Sequence, residues 1–312
     1  MSRARIVRIT LALLIAGSIM VTRSRDPEKQ ELTVGTRGAA PGTLVTLGNG
    51  VTHYQVEGPE DGPRVMLVHG FSVPAYIWDS TAVALSAAGF RVARYDTYGR
   101  GWSDRPDAAY DLDMYDRQLT QLLDSLGWKE PVHLMGLSFG GPVTGTFTGR
   151  HPERVRSLTL VDPAAGIGGG VPWFFSLPGF GPMLWQALAV PTMADGQASD
   201  FVEPAKWPDW ADRYRVQVGY RGFGRSLLRT RKATTGMSYD SIYATVGTTK
   251  TPTLLIWGKE DQVVPIALAD SVRAAIPQAQ FHAIDKAGHL PHMERTDVVN
   301  PLLIGFLRST MP

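Results

Sequence analysis

Ser138, Asp261 and His289 are the three side chains of this sequence whose types and settings could together break an acyl bond. Ser138 stands in Gly136-Leu137-Ser138-Phe139-Gly140-Gly141, where an apolar run from Val132 gives way to a helix-compatible run from Pro142 to Arg150. In a chain with 33 glycines, a Gly-x-Ser-x-Gly arises by chance in roughly one sequence in five, so the strand-turn-helix setting carries more weight than the motif. A serine at such a turn takes a strained backbone, which Gly136 and Gly140 permit because they have no Cβ to clash with the neighbouring strand and helix. Its Oγ then stands at the C-terminal edge of a sheet, beside a helix N-terminus that favours a developing anion.

A serine hydroxyl attacks only when a base takes its proton and an acid orients that base. On such a sheet the expected chain order is Ser, acid, His. Leu254-Leu255-Ile256-Trp257-Gly258-Lys259-Glu260-Asp261 reads as a strand running into a turn, and Asp261 is the expected acid. Glu260 faces the other way in an extended chain, and Asp162, at the end of an earlier strand, is a further alternative. His289, in Ala287-Gly288-His289-Leu290-Pro291-His292, is the expected base, with His292 as its competitor. His53, His133, His151 and His282 read as structural. The oxyanion donors are expected at the Phe139 N–H, one residue past the serine, and at the Phe71 N–H in His69-Gly70-Phe71. His69 would hold that loop by hydrogen bonding, and the Phe71 ring would line the acyl pocket.

The elements that must position these groups follow from the alternation of short apolar runs with helical ones. Strands are expected at 43–47, 53–57, 64–68, 90–95, 132–137, 155–161, 253–257 and 280–284, and helices at 78–88, 114–126, 142–150, 266–275 and 297–308. Gly48-Asn49-Gly50 turns the first pair into a hairpin. The fold class is therefore α/β, a mostly parallel eight-stranded sheet with helices on both faces and a helical cap inserted after the sixth strand. The core divides into 43–162 and 249–312. Residues 163–248, rich in Gly, Pro and aromatics, form the cap over the sheet's C-terminal edge.

Composition bounds the rest. With 312 residues, 44% hydrophobic and 19% charged, the chain can bury a sizeable core. A net charge of +2 with no basic run among stacking aromatics excludes a nucleic-acid partner. The absence of cysteine excludes disulfides, thiolate metal sites and a cysteine nucleophile. Arg3, Arg5 and Arg8 precede an apolar stretch, 9–22, followed by Arg23 and Arg25. Its length of about 14 residues suits the core of a signal peptide, with an uncleaved signal anchor as the alternative, over 1–25. Either places the following domain outside the cytoplasm, and the anchor would associate it with a membrane. Residues 26–42 read as a linker.

Gly136-Leu137-Ser138-Phe139-Gly140-Gly141, His69-Gly70-Phe71, Tyr95-Asp96-Thr97-Tyr98-Gly99-Arg100-Gly101-Trp102-Ser103, Gly258-Lys259-Glu260-Asp261 and Gly288-His289 together resemble the α/β-hydrolase superfamily, over roughly residues 44–307. Serine rather than aspartate at position 138 departs from the haloalkane dehalogenase and epoxide hydrolase branches. Within the serine branch the chain resembles carboxylesterases and monoacylglycerol-lipase-like proteins, and also the hydrolases that cleave carbon–carbon bonds of ring-fission products. The latter usually carry a Gly-Pro-Gly-type loop after the oxyanion His-Gly and a tryptophan after the catalytic histidine. Here those places hold Phe71-Ser72-Val73-Pro74 and Leu290.

The resemblance implies hydrolysis of small apolar carboxylic esters through an acyl-enzyme, with no metal or cofactor. The alternatives are carbon–carbon hydrolysis and a non-catalytic small-molecule-binding protein on the same fold. Trp173, Phe174, Phe180, Trp185 and Trp210 are among the cap aromatics expected to make the pocket apolar or to pack the cap. Arg221, Arg225 and Arg229, four residues apart, would meet an acidic substrate or lipid headgroups, or simply form a solvated helix face.

Overall fold

The computed structural model describes residues 22–38 and 40–311, with Ser2, Arg5, 8–10, Gly17 and Met20 before them. The apolar stretch 9–22, and with it the signal-peptide or anchor reading, falls largely outside the described residues. Among those described, no helix is long and apolar enough to cross a membrane.

Eight strands form one sheet: β1 Thr43–Leu47, β2 Gly50–Glu57, β3 Arg64–Val68, β4 Arg91–Tyr95, β5 Val132–Leu137, β6 Val155–Val161, β7 Thr253–Gly258 and β8 Gln280–Ile284. Their order is β1-β2-β4-β3-β5-β6-β7-β8. β1 and β2 pair antiparallel, as do β2 and β4; every other pair is parallel. The main helices are α1 Asp79–Ala87, α2 Leu112–Ser125, α3 Gly140–Arg150, α4 Trp210–Val218, α5 Phe223–Thr234, α6 Tyr239–Thr248, α7 Ala269–Ala275 and α8 Thr296–Ser309.

Parallel strands covered on both faces read as unbroken apolar runs, and β5 and β7 are buried at every position. Alternate residues of β3 divide between two cores. Val65 and Leu67 join α1 and α8 on one face, while Met66 and Val68 join α2, α3, α6 and α7 on the other. Helix α2 begins two residues before its expected start because the Asp111 side chain caps it, accepting from the Met114 N–H at 2.9 Å.

The segment between β6 and β7 is helical and rich in buried aromatics. Phe175, Trp185, Phe201, Trp210, Tyr214 and Phe223 are buried, whereas Trp173 and Phe180 are exposed. Its last helix, α6, lies on the flank of the sheet. Gly141, Gly145 and Gly149 form a groove along α3, and a Cβ on each would press against Tyr243, Ile242 and Thr245 of α6.

The stretch expected as a free linker is instead fastened down. The Glu28 carboxylate accepts the N–H groups of Gly222 and Gly224, each at 2.6 Å, at the start of α5. Those donors have no partner within their own helix, so an acidic side chain from elsewhere satisfies both. The Gln30 N–H donates to Gly219 O at 3.0 Å and Gln30 O accepts from the Arg221 N–H at 2.8 Å. Arg37 pairs with Asp104.

Candidate active site

Ser138 closes β5 with φ +51°, in the left-handed region that side-chain-bearing residues avoid. Its N–H donates to Val161 O of β6 at 3.0 Å, and its carbonyl accepts from the N–H groups of Gly141 (2.8 Å) and Ala164 (2.9 Å). These bonds hold the strained turn from both sides. A Cβ on Gly136 would run into Gly140 O and Thr144, and one on Gly140 into Val68 O and His69 O, so the serine turn exists only because both are glycine. The Ser138 side chain is half-buried and makes no hydrogen bond to any described residue. Hydrogen bonds of this kind often close only once substrate is bound.

Asp261 and His289 follow the ends of β7 and β8, and the structure brings their side chains into contact. His289 Nδ1 lies 2.8 Å from Asp261 Oδ2. Asp261 Oδ1 accepts the N–H groups of Val263 (2.7 Å) and Val264 (2.9 Å), which fixes the carboxylate in its turn. A carboxylate only accepts, so Nδ1 carries the proton and Nε2 keeps its lone pair. Burial disfavours the imidazolium, but the hydrogen bond and charge of Asp261, with the charge of Asp200, outweigh it and raise the His289 pKa above its ordinary value. The His289 N–H donates to Asp200 O at 2.9 Å. Burial pushes the Asp200 carboxyl up to about 6 despite the neighbouring imidazole.

The N–H groups of Phe71 and Phe139, the pair expected to serve an oxyanion, have no acceptor among the described residues. Their rings meet edge to face at 6.2 Å. A Cβ on Gly70 would lie 3.1 Å from Ser138 Cβ, so the loop after β3 passes directly over the serine. His69 anchors that loop. Its Nε2 accepts the Thr97 N–H at 2.9 Å, which leaves Nδ1 to donate to Gly70 O at 2.8 Å. Burial lowers its pKa to about 4, keeping this neutral form.

The alternatives separate cleanly. His292 bonds Ile77 O at 3.0 Å and lies against Trp78, far into the core, where burial lowers its pKa to about 3. The Glu260 carboxylate accepts the Ala287 N–H at 3.1 Å and makes no bond to His289. Asp162, by contrast, belongs to the cluster: one polar atom each of Asp162, Asp261 and His289 lie within 4.8 Å of one another. Three such groups are a set that a metal could use, yet Asp261 and His289 already satisfy each other by hydrogen bonding, the arrangement of a proton relay.

Arg221, in the turn before α5, pairs with Glu31, and on α5 itself Arg229 pairs with Asp107 and Arg225 donates to Arg105 O at 2.8 Å, so all three arginines have partners within the chain. Two other guanidiniums flank the site, and sequence reading gave neither a role there, although Arg100 stands in the motif quoted above. Arg100 lies 5.4 Å and Arg231 5.1 Å from the Phe71 ring centroid. Neither has a carboxylate partner among the described residues. A second His–Asp pair, His53 and Asp96 at 2.8 Å, was also missed; it ties β2 to the loop after β4, and the Ser103 hydroxyl beside it is spent on backbone, accepting the His53 N–H and donating to Asp96 O.

A family model of the alpha/beta hydrolase fold matches residues 63–296, and the chain belongs to that family. It is 28% identical over 286 residues to a 2-hydroxy-6-oxononadienedioate/2-hydroxy-6-oxononatrienedioate hydrolase of Cupriavidus pinatubonensis, covering 86% of this chain and 96% of that protein. It is also 28% identical over 270 residues to the carboxylesterase YbfK of Bacillus subtilis, covering 83% and 84%. Among solved structures, a meta-cleavage product hydrolase of Pseudomonas fluorescens superposes with a TM-score of 0.72 at 26% identity, covering 86% of this chain and 98% of that one.

Proposed function

We propose that the protein is a serine hydrolase that cleaves carboxylic esters of apolar acyl groups through an acyl-enzyme. The observation that carries the reading is the 2.8 Å Asp261–His289 bond, which leaves Nε2 free at the sheet edge where Ser138 stands. In this reading His289 Nε2 takes the Ser138 proton as Oγ attacks the acyl carbon. The Phe71 and Phe139 N–H groups receive the oxyanion, and the imidazolium, steadied by Asp261, returns its proton to the departing alkoxide. Water then repeats the sequence on the acyl-enzyme, releasing the acid and restoring Ser138.

A second reading, carbon–carbon hydrolysis of a ring-fission product, has specific support. Arg100 and Arg231 beside Phe71 would suit a carboxylate on the acyl fragment, and relatives named for dienedioate hydrolysis act on such anions. The residues at Phe71-Ser72-Val73-Pro74 and Leu290 weigh toward esters.

Rates on p-nitrophenyl esters of two- to eight-carbon acids, and on a vinylogous 1,5-diketone carboxylate, test both. The ester reading expects turnover of the first set, lost in Ser138→Ala together with fluorophosphonate labelling. Turnover of the diketone alone would replace it with the second reading, and tight binding without any turnover would leave a receptor.

A further inference from the structure

We propose that Asp162 is a positioning residue of the same site, a neutral carboxyl whose Oδ2–H is directed at Asp261 and limits how strongly Asp261 holds His289. The proposal rests on the reading of Ser138, Asp261 and His289 given above. Asp162 ends β6, the strand between the one that delivers the serine and the one that delivers Asp261. It is fully buried, and its backbone sits at φ +41°, a conformation that a non-glycine residue holds only when its surroundings impose it. Two bonds impose it: the Asp162 N–H donates to Ile256 O at 2.9 Å, and Oδ1 accepts the Gly258 N–H at 2.8 Å.

Oδ2 is then left buried with no partner among the described residues. A bare carboxylate oxygen there would be desolvated and would face a second carboxylate, since Asp162, Asp261 and His289 come within 4.8 Å. Buried anions this close disfavour each other's ionisation, and the one with fewer donors gives way. Asp261 has two backbone donors and the imidazole to keep it charged; Asp162 has one backbone donor and nothing else. The proton therefore belongs on Asp162. Of the other groups facing the cluster, Glu294 adds negative charge toward Asp162, Asp200 does so toward His289, and His292 is held neutral behind. Burial, with the Asp261 charge beside it, holds the Asp162 carboxyl well above the carboxylate range.

A protonated Asp162 turns a lone pair of Asp261 away from sole service to the imidazole. Asp261 then orients His289 without binding the imidazolium so tightly that the proton is retained when the leaving group needs it. Sequence reading weighed Asp162 only as a rival acid.

The test uses the full-length chain and follows the His289 ring proton by NMR titration, assigned through its loss in His289→Gln. Asp162→Asn keeps the shape, with its carbonyl toward Gly258 and its amide toward Asp261, and should leave the His289 midpoint within about 0.3 pH units of wild type. Asp162→Leu removes the donor and should raise the midpoint by about half a unit or more. A fall of that size in Asp162→Asn would mean that an ionised Asp162 had been removed, and would overturn the proposal. No movement in Asp162→Leu would overturn it too. Should Asp162→Leu not fold, infrared difference spectra of wild type and Asp162→Asn decide: a protonated carboxyl band at neutral pH, lost in the variant, supports the assignment, and its absence refutes it. None of these readouts requires turnover, so a chain that hydrolyses no ester would refute the function and leave the proton assignment to be judged separately.

Discussion

The His289 N–H donates to Asp200 O at 2.9 Å, so the segment inserted after β6 directly holds the loop that carries the proposed base. Glu294 strengthens the junction from the other side: Oε2 accepts the Gly288 N–H at 2.7 Å and Oε1 accepts the Val202 N–H at 2.8 Å. Two hydrogen bonds thus cross between the inserted segment and the His289 loop, and a third ties Glu294 back to Gly288.

Removing the Glu294 carboxylate should loosen both loops together. Glu294→Ala is expected to lower stability by about 1–2 kcal/mol, the Val202 bond being exposed and worth less than the other. It should also lower kcat about tenfold, with a smaller effect on KM, because His289 loses its fixed orientation. Urea unfolding and initial rates measure the two. An unchanged kcat would show that Asp261 alone orients the imidazole.

Ser138 is held in the left-handed region, and its strain is a separable quantity. Ser138→Ala keeps the strain and removes the nucleophile, whereas Ser138→Gly removes both. Relief of about 1–3 kcal/mol of strain, less the 0.5–1 kcal/mol or so that glycine loses in backbone entropy, predicts Ser138→Gly to be more stable than Ser138→Ala by about 1 kcal/mol. Both should lose turnover. Equal stability of the two would mean that the turn stores no strain.

The parts of this architecture that were legible in advance are those written in local pattern. Eight apolar runs, the glycines around Ser138, and the Asp261 and His289 loops at strand ends could be read because period, turn chemistry and chain order all point one way. What escaped depends on long-range contact. Nothing near Glu28 in sequence announces that Gly222 and Gly224 need an acceptor, so 26–42 read as a linker. Arg100 and Arg231 stand 131 positions apart and share only the Phe71 ring. The groove of Gly141, Gly145 and Gly149 did have a signal, glycine at every fourth residue of α3. It marks a helix-packing face, and it explains why α6 lies on the sheet's flank although the aromatic-rich stretch continues up to it.

Activity and stability should respond oppositely to pH through His289. Its pKa is raised above 6.5 on folding. The stability it contributes is therefore complete below the unfolded pKa of 6.5 and is lost as pH rises through the folded pKa. Catalysis needs the neutral ring, so kcat/KM should climb over that same window. Asp261→Asn removes the group that supports the charged form, and burial then dominates. The acidic limb of the residual activity should move to lower pH and the stability loss across the window should shrink. A limb that stays in place would assign it to another group.

The attachment of the N-terminal stretch to the inserted helices yields a prediction that can be checked without substrate. Glu28→Ala leaves the N–H groups of Gly222 and Gly224 without their acceptor at a place where Glu28 itself is only 8% exposed. The expected loss is about 1–3 kcal/mol, concentrated in the inserted segment because the sheet is not involved. Limited proteolysis should then cut within 24–42 much faster than in wild type, and hydrogen exchange should quicken at the start of α5 while β5 and β7 stay protected. If cutting remains slow, the backbone pairing of Gln30 with Gly219 and Arg221 is sufficient by itself to hold the chain there. The Glu28 carboxylate would then act as a helix cap and no more.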